Sequence, residues 1–175
     1  MRPYEELIVA IPDYPKPGIV FQDLTPAFAD GPSLAAMADD LAAPFADAGI
    51  TKVVGAEARG FIIGAAVALR LGAGFVPCRK PGKLPRTVLA ESYALEYGTD
   101  TLEIHADALG PDDKVLIVDD LVATGGTTTA MVRLVKASRA QLVGLGFVME
   151  LAFLRPRAVI AEATDAPVVS LVTVD

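Results

Sequence analysis

Two adjacent carboxylates followed by a loop of small residues form the most chemically suggestive stretch of the chain, Val115-Leu116-Ile117-Val118-Asp119-Asp120-Leu121-Val122-Ala123-Thr124-Gly125-Gly126-Thr127. The apolar run ahead of the acids reads as a buried strand that delivers Asp119 and Asp120 to one edge of a sheet. Beyond them, glycines let backbone N–H groups converge, Thr124 and Thr127 add hydroxyl donors, and a helix expected over residues 127–137 points its positive end at the loop. Such a loop suits a phosphate dianion, held by several charge-assisted hydrogen bonds of about 1.5–3 kcal/mol each. Acids beside a phosphate repel it unless they meet hydroxyls or a metal, which points to a ribose diol or a ribose-bound magnesium ion. The plainer reading is a strand-to-helix turn in which Gly125 and Gly126 only reverse the chain and the acids are solvated. The length of the combined pattern weighs against it.

A second loop, Gly55-Ala56-Glu57-Ala58-Arg59-Gly60, follows the short apolar strand expected over residues 52–56 and precedes an Ala- and Gly-rich helix expected over residues 61–71. It therefore falls on the same sheet edge and suits a second phosphate group, although Arg59 alone reads equally well as a surface ion-pair residue. Arg79, Lys80, Lys83 and Arg86 form the basic cluster of the chain, directly after Val76-Pro77-Cys78, and taken alone are either solvated or anion-binding. Competing motifs are absent: the sequence has neither a Walker loop ending in Gly-Lys-Ser/Thr nor a Gly-x-Gly-x-x-Gly fingerprint. His105, the only histidine, has no Gly-x-Ser-x-Gly elbow to serve and reads as structural or surface. Cys78 stands alone, which excludes an internal disulfide and suits a packing role.

Positioning these loops requires a particular order of elements. Strand, loop and helix follow one another twice, at residues 52–71 and 115–137, and further strands are expected over residues 142–149 and 168–174. That alternation predicts an α/β fold, a parallel sheet flanked by helices on both faces, with ligands at the carboxyl ends of the strands. Leu34, Met37, Ala38, Leu41 and Phe45 recur at helical spacing, with Ser33 or Asp30 available as the cap. Residues 11–26 form a hook expected to lie outside regular helix, because Pro12, Pro15 and Pro17 each remove a backbone donor. In residues 84–104, Tyr93, Leu95 and Tyr97 alternate before a turn at Gly98-Thr99-Asp100, which reads as a protruding antiparallel hairpin.

Without repeats or linkers, the 175 residues read as one domain, long enough to bury roughly 70% of the unfolded chain's surface. No run reaches the roughly 20 apolar residues of a membrane span, and the N-terminus lacks signal-peptide organisation, so a cytoplasmic location is expected, with no membrane partner. A net charge of -7 opposes non-specific nucleic-acid binding.

The stretch over residues 115–127 resembles the ribose-phosphate signature of the type I phosphoribosyltransferases, which bind phosphoribosyl pyrophosphate. The resemblance places Asp119 and Asp120 on the ribose hydroxyls and Ala123, Thr124, Gly125, Gly126 and Thr127 around the 5′-phosphate. It makes residues 55–60 the diphosphate loop, with Arg59 on the pyrophosphate and often a cis peptide before it. The run Arg79-Lys80-Pro81-Gly82-Lys83-Leu84-Pro85 is similar to a family segment that reaches the pyrophosphate, which adds Arg79, Lys80 and Lys83.

Ser92-Tyr93-Ala94-Leu95-Glu96-Tyr97-Gly98 is similar to the mobile loop of the adenine-specific members. That similarity makes residues 84–104 a lid and Glu96 the catalytic proton shuttle near the purine. The hook resembles their base-binding hood, about residues 1–30, in which backbone groups of Val20 and Gln22 read the purine edge while Phe21 and Leu121 sandwich the ring. Two departures stand out: Gln22 replaces a common Arg or Lys, and Thr128 a frequent Met. The resemblance spans residues 11–174 and is strongest over 77–127.

It implies transfer of the phosphoribosyl group to adenine, giving AMP and pyrophosphate. It also implies Mg2+ brought by the substrate pyrophosphate with no direct protein metal site, and a homodimer. The alternatives left open are an enzyme for another purine such as xanthine, a non-catalytic phosphoribosyl pyrophosphate sensor, and a generic sugar-phosphate-binding domain.

Overall fold

The computed structural model describes residues 2–94 and 98–175. Near the N-terminus, β1 (Val9–Pro12) and β2 (Val20–Asp23) form an antiparallel ribbon, followed by α1 (Thr25–Ala29) and α2 (Gly31–Ala42). Then come β3 (Lys52–Ala56), α3 (Arg59–Leu71), β4 (Gly74–Cys78), the hairpin strands β5 (Val88–Ala94) and β6 (Thr99–His105), and β7 (Lys114–Val122). The chain ends with α4 (Gly126–Ala137), β8 (Gln141–Leu151), α5 (Pro156–Ala161) and β9 (Val168–Val174).

The parallel strands form a five-stranded sheet in the order β4-β3-β7-β8-β9, so the expected fold class holds. Its central strand, β7, is apolar on both sides because side chains alternate between faces and both faces are covered. Leu116 and Val118 pack with Met37, Leu41, Ile63 and Val67 under α2 and α3. Val115 and Ile117 meet Met131, Leu134 and Val135 of α4, together with Tyr93, Leu102 and Ile104 of the hairpin. Each fully buried aliphatic side chain of this kind contributes about 1.5–3 kcal/mol. The hairpin is thereby anchored over α4, and the core face of α2 carries Met37, Ala38 and Leu41 of the predicted stripe, with Phe45 in the 3-10 turn beyond the helix; α2 is capped by Asp30, whose carboxylate accepts the Ser33 N–H at 3.0 Å.

Several boundaries differ from expectation for physical reasons. Strand β7 continues through both acids, because Asp119, Leu121 and Val122 remain in register with Phe147, Met149 and Glu150 of β8. Helix α3 starts at Arg59, which places that residue in a first turn and not in a free loop. The hook is more regular than its prolines suggest: Pro12 pairs with Val20 at the end of a ribbon, and Pro26 sits in the first turn of α1, where a missing N–H is harmless. The turn expected at residues 98–100 is displaced, since Thr99 and Asp100 already pair with Ala94 and Tyr93. Leu95, Glu96 and Tyr97 lie outside the described residues. Among those described, no helix is long and apolar enough to cross a membrane.

At the carboxyl end of β8, buried Glu150 accepts hydrogen bonds from Arg157 Nε at 2.9 Å, Arg157 Nη2 at 2.8 Å and Ser170 Oγ at 2.7 Å. Burial pushes this carboxyl up, but the bonds from Arg157 and Ser170 outweigh it and hold the group below its ordinary value. A depressed folded-state value contributes stability above the unfolded value of about 4.3, and that contribution fades as pH falls through the lower, folded value. Arg157→Ala is therefore expected to lose about 1–3 kcal/mol at pH 7, a range discounted because Arg157 is half exposed. The deficit should shrink at pH 3, and urea unfolding at the two pH values checks both statements.

Candidate active site

The carboxyl ends of β3 and β7 lie side by side, which brings the two predicted loops together. Asp119 and Asp120, 8% and 5% exposed, stand near the end of β7 there. Asp119 Oδ1 accepts the Asp120 N–H at 2.9 Å. Arg59 Nε stands 2.7 Å from Asp120 Oδ2, but off its N–H axis, so this buried oxygen has a charge partner and no directed hydrogen bond. Gly60 is required by the same packing: a Cβ there would stand 2.5 Å from Asp119 Oδ1. Burial first, and repulsion from Asp120 second, push the Asp119 carboxyl well above its ordinary value. Burial also raises Asp120, against the opposing pull of Arg59. The pair is a desolvated acidic centre suited to hydroxyl donors or a cation.

After the acids the chain turns through Ala123 and Thr124 into α4. Gly125 precedes the helix at φ 90°, and its carbonyl accepts from Thr129 N and Thr129 Oγ1, both at 2.9 Å. The loop residues Ala123, Thr124, Gly125, Gly126 and Thr127, both acids, Leu121 and Arg59 all line one cavity of about 230 Å³. The Glu57–Ala58 peptide on its rim is cis. A larger cleft of about 580 Å³ runs between β5, α4 and α5, but it shares only Gly126 with this cavity and neither carboxylate lines it. The two predicted loops therefore meet in the smaller one.

The basic cluster reaches the rim through Glu57, whose side chain is one-tenth exposed. Lys83 Nζ lies 2.9 Å and Arg79 Nη2 3.4 Å from its Oε2, and the Lys80 N–H donates to Oε1 at 2.5 Å. Burial is the largest single influence on Glu57 and pushes it up, yet the bonds from Lys80 and Lys83 hold it below the usual carboxylate range. The Lys80 ammonium pairs with Asp100, and Arg86 with Asp107. Arg79 and Lys83 thus rest against the 55–60 segment on a carboxylate that no sequence pattern singled out.

The hood folds towards the same place. The Arg59 guanidinium lies 5.4 Å from the centre of the Phe21 ring, and Tyr14 meets that ring edge-on at 5.3 Å. Val20 is exposed and Gln22 half-buried. Glu96 lies outside the described residues. His105 is half-buried with its Nδ1 unpartnered, and it is not among the residues lining the loop cavity. Cys78 is fully buried, and burial pushes its thiol up to about 12, which suits packing and not nucleophilic chemistry.

Residues 27–166 match the family model described as phosphoribosyl transferase domain. The adenine phosphoribosyltransferase of Aeromonas salmonicida is 54% identical over 168 residues, covering 96% of this chain and 92% of its own. The crystal structure of adenine phosphoribosyltransferase from Rhodothermus marinus is similar with a TM-score of 0.90 and 47% identity, covering 98% of this chain and 96% of that one. The Saccharomyces cerevisiae adenine phosphoribosyltransferase, complexed with D-2,5-dideoxy-2,5-imino-altritol 1,6-bisphosphate and adenine, gives a TM-score of 0.88 at 39% identity, covering 96% of each chain. Since both the paired acids and the loop cavity fall within the matched residues, and the relatives match nearly end to end, the chain belongs to the phosphoribosyl transferase family, alongside its adenine phosphoribosyltransferases.

Proposed function

We infer that the protein transfers the 5-phosphoribosyl group of phosphoribosyl pyrophosphate to adenine, forming AMP and pyrophosphate in purine salvage. The observation that carries this reading is the single cavity in which the start of α3 at Arg59, the paired acids and the 123–127 loop meet. It offers a cation for pyrophosphate, carboxylates for a ribose diol and backbone and hydroxyl donors for the 5′-phosphate, the three kinds of group that one molecule of phosphoribosyl pyrophosphate presents. The likeness to a yeast enzyme complexed with a bisphosphate and adenine supports the same assignment.

In this reading the bond from the anomeric carbon to pyrophosphate loosens while Arg59, Arg79, Lys80 and Lys83 take up the charge of the leaving group, and a purine nitrogen attacks that carbon. Asp119 and Asp120 orient the ribose and face its developing positive charge. Phe21 and Leu121 enclose the adenine ring, and the backbone of Val20 and Gln22 meets its polar edge. The hairpin over residues 84–104 excludes water, which would otherwise intercept the sugar, and Glu96 shuttles the purine proton.

Magnesium brought by the pyrophosphate would offset that group's charge while keeping mostly water and phosphate ligands. The donor set fits a shared ion better than a protein cage: the described residues include no group of three or more metal-ligating His, Cys, Asp or Glu, while Asp120 Oδ2 is buried without a hydrogen bond. We further propose one domain over residues 1–175, a homodimer and a cytoplasmic location.

The test offers adenine, hypoxanthine, guanine, xanthine and orotate separately with phosphoribosyl pyrophosphate and magnesium, and resolves the nucleotides by chromatography. AMP from adenine alone, lost on chelation and reduced about 100-fold or more in Glu96→Ala, is the expected result. Preference for another base would overturn the hood assignment, and no nucleotide from any base would indicate a sensor.

A further inference from the structure

A line of polar side chains runs from the basic cluster to the 123–127 loop through two residues of the hairpin whose side chains have no role in the reaction as described. The Lys80 ammonium is ion-paired with the Asp100 carboxylate and stands 5.9 Å from the centre of the Tyr93 ring. The Tyr93 hydroxyl donates to the same Asp100 oxygen, Oδ2, at 3.2 Å and accepts from Thr127 Oγ1, also at 3.2 Å. The other Asp100 oxygen takes the Thr101 N–H at 2.8 Å, and the Tyr93 side chain is buried, so the line is held at its middle. A hydroxyl carries one hydrogen: while Thr127 gives it to Tyr93, it cannot give it to a phosphate. An ammonium seated on Asp100 is likewise withheld from any other anion.

We propose that Asp100 and Tyr93 form a resting tether that competes with phosphoribosyl pyrophosphate for Lys80 at the pyrophosphate end and Thr127 at the 5′-phosphate end, and thereby sets the affinity for that substrate. This rests on the part of the proposed function that places phosphoribosyl pyrophosphate in the loop cavity. Only a ligand with an anion at each end takes both groups at once; inorganic pyrophosphate takes Lys80 alone and leaves Tyr93 bonded to Thr127. Asp100 and Tyr93 act through their partners and touch no reacting atom.

The experiment compares the full-length protein with Asp100→Asn and Tyr93→Phe. It measures kcat and KM for phosphoribosyl pyrophosphate at saturating adenine, and calorimetric binding of the magnesium salt of phosphoribosyl pyrophosphate without adenine. Asp100→Asn is expected to lower KM and the dissociation constant roughly two- to fivefold, the size of a partly exposed ion pair, with kcat changed by less than about twofold. The gain should shrink as salt is raised. Tyr93→Phe keeps the ring and frees Thr127, so it tightens binding by a smaller factor. A merely structural role predicts weaker binding or a lower kcat without salt dependence, and that result overturns the tether. AMP formation by the wild type with neither variant binding more tightly defeats the tether alone. Tighter binding to Asp100→Asn with no AMP from the wild type defeats the catalytic reading and leaves the tether standing.

Discussion

Asp119→Asn should melt at a higher temperature than the wild type at neutral pH and turn over about ten- to hundredfold less efficiently. The two effects share one cause. Asp119 is 8% exposed, beside a second acid, and burial followed by repulsion from Asp120 raises its folded-state value well above the unfolded one. The folded protein therefore binds a proton more tightly than the unfolded chain does. Stability is fully present below the unfolded value of about 3.9 and declines as pH rises through the folded value. Asparagine has the same shape, its oxygen can still accept the Asp120 N–H that Asp119 accepts at 2.9 Å, and it has no charge to bury.

The melting advantage of the variant should consequently be absent near pH 4, grow with pH and persist at pH 8, and thermal melts across that range read it directly. Activity moves the other way if Asp119 holds the ribose hydroxyls as proposed, because hydrogen bonds to a charged acceptor contribute about 1.5–3 kcal/mol, more than an amide oxygen provides. A variant no more stable than the wild type at pH 7 would mean that the Asp119 charge is compensated in the folded protein.

Much of this arrangement is legible in the sequence because parallel strands covered on both faces are written as unbroken apolar runs. The strand expected over residues 52–56 is β3 without change, and of the stripe Leu34, Met37, Ala38, Leu41 and Phe45, the middle three are buried on α2, Leu34 is half-buried there, and Phe45 is buried in the 3-10 turn that follows. Chemistry concentrated at strand ends also reads well: Asp119, Asp120, Arg59 and residues 123–127 share one cavity, as their positions after two strands imply. What does not read are pairings set by the third dimension. Glu57 gathers Lys83 from 26 residues away, and Glu150 gathers Ser170 from 20 residues away; neither separation follows a helical or strand period. Asp100 looks like a turn residue because Gly98 precedes it, yet its place in β6 opposite Tyr93 is fixed by the register of the hairpin. The extension of β7 through its acids likewise depends on β8, which sequence periodicity cannot align.

Gly125→Ala should raise KM for phosphoribosyl pyrophosphate about ten- to hundredfold, with a smaller loss of kcat. At φ 90° an L side chain is strained by about 1–2 kcal/mol. The added Cβ would also stand 3.1 Å from the Pro156 carbonyl oxygen and 3.3 Å from Val159 Cβ. Those neighbours cannot readily give way, since Pro156 and Ile160 are buried and Arg157 is clamped to Glu150. The displacement therefore falls on the loop, and because the Gly125 carbonyl holds Thr129 through two hydrogen bonds, it spreads into the first turn of α4, where the proposed function puts the donors for the 5′-phosphate.

Loosening α5 should relieve part of it. Arg157→Ala removes the clamp, so in the double variant the rise in KM should be smaller than in Gly125→Ala alone, a non-additivity expected of residues coupled through one contact. Steady-state kinetics of the two single variants and the double variant provide the cycle. A rise in KM in the double variant equal to the product of the single effects would mean that the strain of Gly125→Ala is local to φ and that α5 has no part in shaping the loop.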